Sequence, residues 1–403
     1  DARGKDAAPY FREIREGIGA LLINSRSSPA EIAVLYSPAS MRTQWMLDWR
    51  AKGDAWARNG TRSAGDDNAT DIFASRVAHL GLQGQIVSSA MLAQGALRRG
   101  SWRILILPDA IALSPQEAEE IRRFVARGGT VIADAEPATY DQHSRRFVKP
   151  LLADVLKPGA GVNANFAFGK GHAVYVVSHG EIHDPSAGAN EAALRDLRRA
   201  LLGAQIQGPL TLTDLAGQPI SDVDMRFFQN GEAMIVALLR DPPLSPESAG
   251  SAAALAQMVS VSLPQKSFVY DVRAKKALGD TDRLVLALDP NEPTLLALSK
   301  TPLPSLVVTA PERARPGDAT EFRFAFDGSA ERATHVLHVE VLSPSGTSIP
   351  EYSGNLLAAK GTASKTLRLS SNAEIGKWTI RVTDVLSGQT KTAELDVAAN
   401  SVR

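Results

Sequence analysis

One stretch of this chain admits few folds. In WRILILPDAIALSPQEAEEIRRFVARGGTVIAD, residues 102–134, an apolar run is followed by a tight exit, a strongly punctuated helix and a second apolar run. Ile104–Leu107 shows no polar alternation, as expected of a strand covered on both faces. Ser114 suits the N-cap, Pro115 the first helical position, and Glu117 stands three residues after the cap, completing a capping box. Ala118, Ile121, Phe124 and Val125 recur at helical spacing and mark the face that packs on a sheet. Gly128 and Gly129 end that helix before a strand begins at Thr130. Strand, helix and strand in this order form a βαβ unit, whose two strands lie parallel.

The alternation extends from Ala30 to Val177. EIAVLYS reads as a first strand, Thr70–Leu80 as a helix burying Ile72, Phe73 and Val77, and GQIVSSAML as a second strand with its exit. FAFGKGHAVYVVS reads as a hairpin turn through Gly169 and Gly171 followed by an apolar strand, and Glu191–Leu202 as a closing helix. Residues 1–205 are therefore expected to form an α/β domain with a largely parallel sheet. No comparable helical pattern occurs beyond it. Residues 206–300 read as a small antiparallel β domain with an Asn230-Gly231 hairpin signal, and the Pro-, Ser- and Ala-rich 241–254 as a loop within it. Residues 301–403 carry further short strands that suggest an immunoglobulin-like β-sandwich. Three domains suit a length of 403 residues, since one core serves about 150.

Composition narrows the partners. The 44 Lys and Arg balance 44 Asp and Glu, which removes any general attraction to nucleic acid or anionic lipid. No apolar run approaches the roughly 20 residues that a membrane helix needs. The absence of cysteine excludes disulfides, thiol nucleophiles and thiolate metal sites, and fits a periplasmic or secreted setting. The chain opens at Asp1 without a Met and is expected to be cut from a longer protein.

The exit after Leu107 is where several α/β enzymes mount a nucleophile, with backbone N–H groups arranged to hold an oxyanion. Pro108, Asp109 and Ala110 stand there instead, no G-x-S-x-G occurs, and Ser114 is committed to capping. His179 and Glu181, two apart after a late strand, are placed as in the triad of class I glutamine amidotransferases, but they have no nucleophile to serve. With Asp109 they make a degenerate, triad-like set, and we assign no catalytic residue. His179, His183 and Asp184 can be grouped as metal ligands, but the H-x-x-x-H of the two histidines lies in a loop with no third ligand fixed by sequence, so no metal is expected. Asp109, Asp134 and Glu136 fall at strand ends, where loop carboxylates are commonly just solvated. The GKG at 169–171 lacks the strand-to-helix context of a phosphate loop, and no cofactor motif is present. Trp45 and Trp49, four apart on a helix after SPAS, and Trp56 suit either subunit packing or stacking against sugar rings. Asn59 and Asn68 head glycosylation sequons.

Taken in order, YFREIREGIGALLINSRSSPAEIAVLYSPAS, WRILILPDAIALSPQEAEEIRRFVARGGTVIAD and FGKGHAVYVV resemble the β-galactosidase trimerisation domain of family 42 glycoside hydrolases, over about Pro9–Leu202. The resemblance implies a flavodoxin- or amidotransferase-like three-layer fold over residues 1–205 without the triad, entered through a linker helix, a preceding catalytic (β/α)8 barrel carrying both catalytic glutamates, and a small β domain behind. A barrel of that kind needs about 250 residues, more than precede the first strand here; the sandwich at 301–403 departs from the minimal family pattern. The same resemblance implies a non-catalytic accessory region of a carbohydrate-hydrolysing enzyme, a homo-oligomer and by analogy a trimer, with Trp45, Trp49 and Trp56 at the contact surface. Two rivals stay open: a hydrolase using Asp109, His179 and Glu181, and a module that binds polysaccharide through its β domains or its tryptophans.

Overall fold

The computed structural model describes residues 8, 11–50, 69–176, 187–206, 208–218, 220, 223–240, 256–290, 292–327, 333–358 and 360–399, without the side chains of 48–50 and 187–191. The chain forms two compact units. One comprises Pro29–Pro209 and Ile220–Met225; the other comprises Asp1–Ser28, Leu210–Pro219 and Arg226–Arg403.

An N-terminal helical segment, π-helical over Ile14–Ile18 and α-helical over Gly19–Ile23 (α1), leads to a short strand, β1 (Arg26–Ser27). The α/β unit then contains β2 (Ile32–Tyr36), α2 (Pro38–Arg50), α3 (Ala69–His79), β3 (Gly84–Ser88), α4 (Ser89–Ala93), α5 (Ala96–Arg99) and β4 (Ile104–Leu107). It continues with α6 (Pro115–Ala126), β5 (Thr130–Ala133), β6 (Asn165–Phe168), β7 (Gly171–Tyr175) and α7 (Ala187–Gly203). The strands join in the order β3-β2-β4-β5-β7-β6, all parallel except the β6–β7 hairpin.

Two separate cores explain why β2, β4 and β5 are apolar without interruption. Ala33, Leu35, Leu105, Leu107 and Val131 meet Leu92 of α4 and Ile121 and Phe124 of α6. The alternate residues Ile32, Val34, Ile104, Ile106 and Ile132 meet Phe73 and Val77 of α3 and Leu197 and Leu201 of α7. Each strand thus feeds both faces through its period of two. The capping box at α6 forms as expected: Ser114 N–H donates to Glu117 Oε2 at 2.7 Å and Glu117 N–H to Ser114 Oγ at 3.3 Å. The GKG turn is a packing device. A Cβ added to Gly171 would stand 2.2 Å from the Gly129 carbonyl oxygen and 2.3 Å from that of Val125, so only glycine lets β7 pass the end of α6.

In the second unit, β8 (Thr211–Thr213), β9 (Val223–Asn230), β10 (Ala233–Arg240), β11 (Gln257–Asp271), β12 (Lys276–Leu288) and β13 (Thr294–Ser299) build a sheet with β1. Its order is β1-β9-β10-β13-β11-β12, with β8 on β11. The segment before β1 belongs to this β-rich unit, although its sequence reads as the linker of the α/β domain. Ile18 and Leu21 enter a core with Ile235, Tyr270, Leu295 and Val336, and Arg273 grips Glu13 at 2.7 and 2.9 Å.

The remaining strands are β14 (Leu306–Thr309), β15 (Arg313–Ala314), β16 (Ala319–Phe326), β17 (His335–Leu342), β18 (Gly354–Ala358), β19 (Thr362–Arg368), β20 (Gly376–Asp384) and β21 (Thr390–Val397). They make two sheets, β14-β16-β19 and β15-β21-β20-β17-β18. Phe322, Phe324 and Leu367 from the first pack against Leu337, Val339, Trp378 and Val382 from the second, which gives each strand one buried face.

Candidate functional site

The carboxyl ends of parallel strands are where open α/β sheets bind ligands, and the exit from β4 has the backbone of a functional turn. Asp109 holds φ at +45°, a left-handed conformation costly to a residue with a Cβ. Its side chain is half-buried.

Four of the five N–H donors from Asp109 to Leu113 are engaged. Asp109 N–H donates to Asp134 Oδ1 at 2.6 Å, Ile111 N–H to the Asp109 carbonyl at 2.7 Å, and Ala112 N–H to Ser40 Oγ at 3.0 Å. Leu113 N–H donates to the Tyr140 carbonyl at 3.0 Å and Ser114 N–H to Glu117. The loop after β5 completes the closure: Ala138 N–H donates to the Ala110 carbonyl at 3.0 Å and Tyr140 N–H to that of Ile111 at 2.8 Å. An oxyanion would have to displace these bonds at every donor but Ala110 N–H, whereas a working oxyanion hole keeps its donors aimed at the reacting atom.

Residues that the sequence did not single out complete the edge. Ser37 and Ser40, at the start of α2, are buried; Ser40 Oγ both accepts from Ala112 N–H and donates to the Ala112 carbonyl, each at 3.0 Å. The SPAS exit was their only signal. Arg76 of α3 is 5% exposed, with its guanidinium 5.1 Å from the Phe73 ring centre. Burial pulls its pKa down and the negative charge of Asp134 opposes that shift. Tyr175, at the end of β7, is pushed up to about 12, first by burial and then by the charge of Glu136. It is therefore a neutral phenol at ordinary pH. Among the described residues the edge offers carboxylates, hydroxyls and one buried cation, but no hydroxyl beside a base that would make it a nucleophile.

Of the triad-like set only Asp109 can be placed; His179 and Glu181 lie outside the described residues, as do His183 and Asp184. Trp45 is half-exposed on α2 beside the exposed Met41, Met46 and Leu47, while Trp49 lies on the same helix with its side chain outside the description, and Trp56 is also outside it. Among the described residues, no three His, Asp or Glu side chains converge to hold a metal ion.

No protein-family model matches the sequence, and no curated protein matches it. Solved structures do. A β-galactosidase from Bacillus circulans sp. alkalophilus superposes with a TM-score of 0.50 at 14% identity, over 73% of this chain and 45% of that one. The GH42 β-galactosidase Gan42B aligns at 14% identity with a TM-score of 0.43, over 67% of this chain and 40% of that one. A GH42 exo-carrageenase from Bacteroides ovatus aligns at 16% identity with a TM-score of 0.38, over 68% and 30%. This chain thus spans less than half the length of these structures, and its fold is similar to part of that of the Bacillus circulans β-galactosidase.

Proposed function

We propose that this chain is a non-catalytic accessory region of a β-galactosidase-like glycoside hydrolase, whose α/β unit is a flavodoxin- or amidotransferase-like trimerisation domain. The observation that carries this reading is the β4 exit: a turn with the backbone of a nucleophile mount in which a carboxylate replaces the nucleophile and the N–H groups of Asp109, Ile111, Ala112 and Leu113 are bonded within the protein. The likeness to a β-galactosidase over 73% of this chain supports it at the level of fold. An α/β unit without chemistry of its own serves assembly, and the exposed apolar residues of α2 supply a contact surface around Trp45. The sheets of the β-rich unit take the place of the small β domain and an immunoglobulin-like sandwich. Light scattering tests this: a trimer for the native chain, and a lower mass for Trp45→Ala with unchanged circular dichroism, are the expected results. A native monomer at all concentrations would overturn the assembly role.

The strained Asp109 favours one second reading, hydrolysis by the α/β unit, because such strain clusters at active sites. A screen with chromogenic esters and galactosides decides it; turnover by the native chain that disappears in Asp109→Asn would establish the enzyme.

A further inference from the structure

Where α7 ends over the β6–β7 hairpin, the α/β unit holds a cavity of about 240 Å³. Its walls follow from the register of the sheet. Thr130 of β5 stands beside His172 of β7, and Val174 of β7 beside Asn165 of β6, so the strand period of two puts all four side chains on one face. Helix α7 covers the Val174 end of that face through Leu197, Ala200 and Leu201. Over the remainder the helix offers only small residues, Ala200 and Gly203, and a Cβ added to Gly203 would meet no atom within 4 Å.

The rim is polar and open to solvent: Asn163, Asn165, His172 and Arg199 all line the cavity, and all four are exposed. Two of them are held in place by Asp196, whose side chain is 14% exposed. Asp196 Oδ1 accepts from Asn163 Nδ2 and from Arg199 Nη1, each at 3.3 Å. Asn163 also keeps φ at +66°, with its N–H donating to the Tyr175 carbonyl at 2.8 Å. A left-handed residue fixed through both backbone and side chain at the mouth of a cavity is set before any ligand arrives.

We propose that this cavity binds a small hydroxylated carboxylate, the size of a single uronic acid ring, with its carboxylate on Arg199 and its hydroxyls on the two asparagine amides. The balance of donors selects the carboxylate. A guanidinium has five N–H groups and no acceptor, and Asp196 is bonded to it through Nη1. Among the described residues neither Asp nor Glu lines the cavity, so an acceptor-only group meets an excess of donors. Asp196 offsets part of the charge of Arg199, which leaves a bare anion weakly held and makes the hydroxyl contacts necessary. An amide both donates and accepts, as does a hydroxyl, and the buried Val174 and Ala200 give an apolar floor to the C–H face of a ring. The volume lies below the roughly 300 Å³ at which drug-sized pockets begin, which suits one ring. The site uses no residue of α2 or of the β4 exit, so it stands or falls apart from the accessory role proposed above.

Calorimetry and saturation-transfer NMR on the whole chain test it, with D-glucuronate, its neutral amide D-glucuronamide, and acetate as probes. Glucuronate is expected to bind one to one with a dissociation constant on the order of millimolar, and more weakly as salt is added. Glucuronamide lacks the charge and acetate lacks the hydroxyls; each should bind about ten-fold more weakly or worse. Arg199→Gln removes the cation from an exposed position whose ion pair contributes little to stability, so the melting temperature should not move while glucuronate binding weakens about ten-fold or more. Gly203→Phe fills the cavity from a helical position with open space beside it and should weaken binding as much. The proposal is overturned if glucuronate does not bind, if glucuronamide or acetate binds as tightly, or if either variant binds glucuronate as the native chain does. A trimer by light scattering without glucuronate binding would remove this site alone and leave the accessory role standing.

Discussion

The β4 exit and the His335–Asp384 corner differ in how their polar groups are satisfied. The first has the sequence position and left-handed backbone of a catalytic turn, yet its N–H groups at Asp109, Ala112 and Leu113 are bonded to Asp134, Ser40 and the loop after β5. The second sits in a β-rich unit with no motif at all, yet among the described residues one buried ring nitrogen, His335 Nε2, has no hydrogen-bond partner. Backbone shape alone is therefore a poor guide to chemistry. A site needs atoms whose hydrogen bonds are still to be made, and by that criterion the turn shaped for reaction is largely closed while the plain corner keeps one such atom, out of reach of solvent.

The most severe test of this contrast is to remove the acceptor of the buried pair. Asp384→Ala leaves His335 Nδ1–H and two donors of Ser387 without their partner in a fully buried place. Urea unfolding should show a loss of about 3–5 kcal/mol. A loss below about 1 kcal/mol would mean that the corner is loosely packed and that its geometry is not set in advance. Next in size is Ser40→Ala, which takes both the donor and the acceptor that hold Ala112. It should cost about 1–3 kcal/mol without altering any uronate binding, because the turn acts as structure.

Legibility in the sequence tracks the range of the interaction. The capping box of α6 and the glycines at its end are local, so Ser114, Glu117 and Gly128 can be read directly. Alternation also reveals the strands of the sandwich. The same period carries a subtler signal: His335 shares a face with Leu337, Val339 and Val341, and Asp384 with Trp378, Ile380 and Val382, all of which are buried. A polar residue at the end of two apolar faces is a candidate for a buried pair. What no local pattern contains is that strands 49 residues apart bring the two together. Arg76 is hidden for the opposite reason, since it lies beside the apolar stripe of Phe73 and Val77 and reads as the polar side of a helix.

Alkaline titration probes the α/β edge with a smaller effect. Tyr175 has a folded pKa of about 12, above the ordinary value of 10.0. Below the ordinary value both folded and unfolded chains keep the phenol neutral, and the stability is at its full value. As the pH rises from about 10 toward 12 the unfolded chain ionises first, so stability falls through that window by at most about 2 kcal/mol. Tyr175→Phe should move the alkaline unfolding midpoint upward and leave stability at pH 7 within about 1 kcal/mol of native, because the phenol oxygen has no hydrogen-bond partner among the described residues. A variant that unfolds at the native alkaline midpoint would show that this hydroxyl is solvated.

The smallest effect bears directly on whether the strained turn is a relic or a tool. Asp109 keeps φ at +45° with a Cβ in place, and glycine would hold the same backbone without that penalty. The Asp109 N–H bond to Asp134 belongs to the backbone and survives the change. Asp109→Gly should therefore lie within about 1 kcal/mol of the native chain, the relief of strain offsetting the loss of side-chain contacts. Assembly state and uronate binding should both be unchanged. Were the variant to lose a measurable turnover at unchanged stability, the carboxylate would be working rather than merely tolerated, and the closed turn would have to open during reaction.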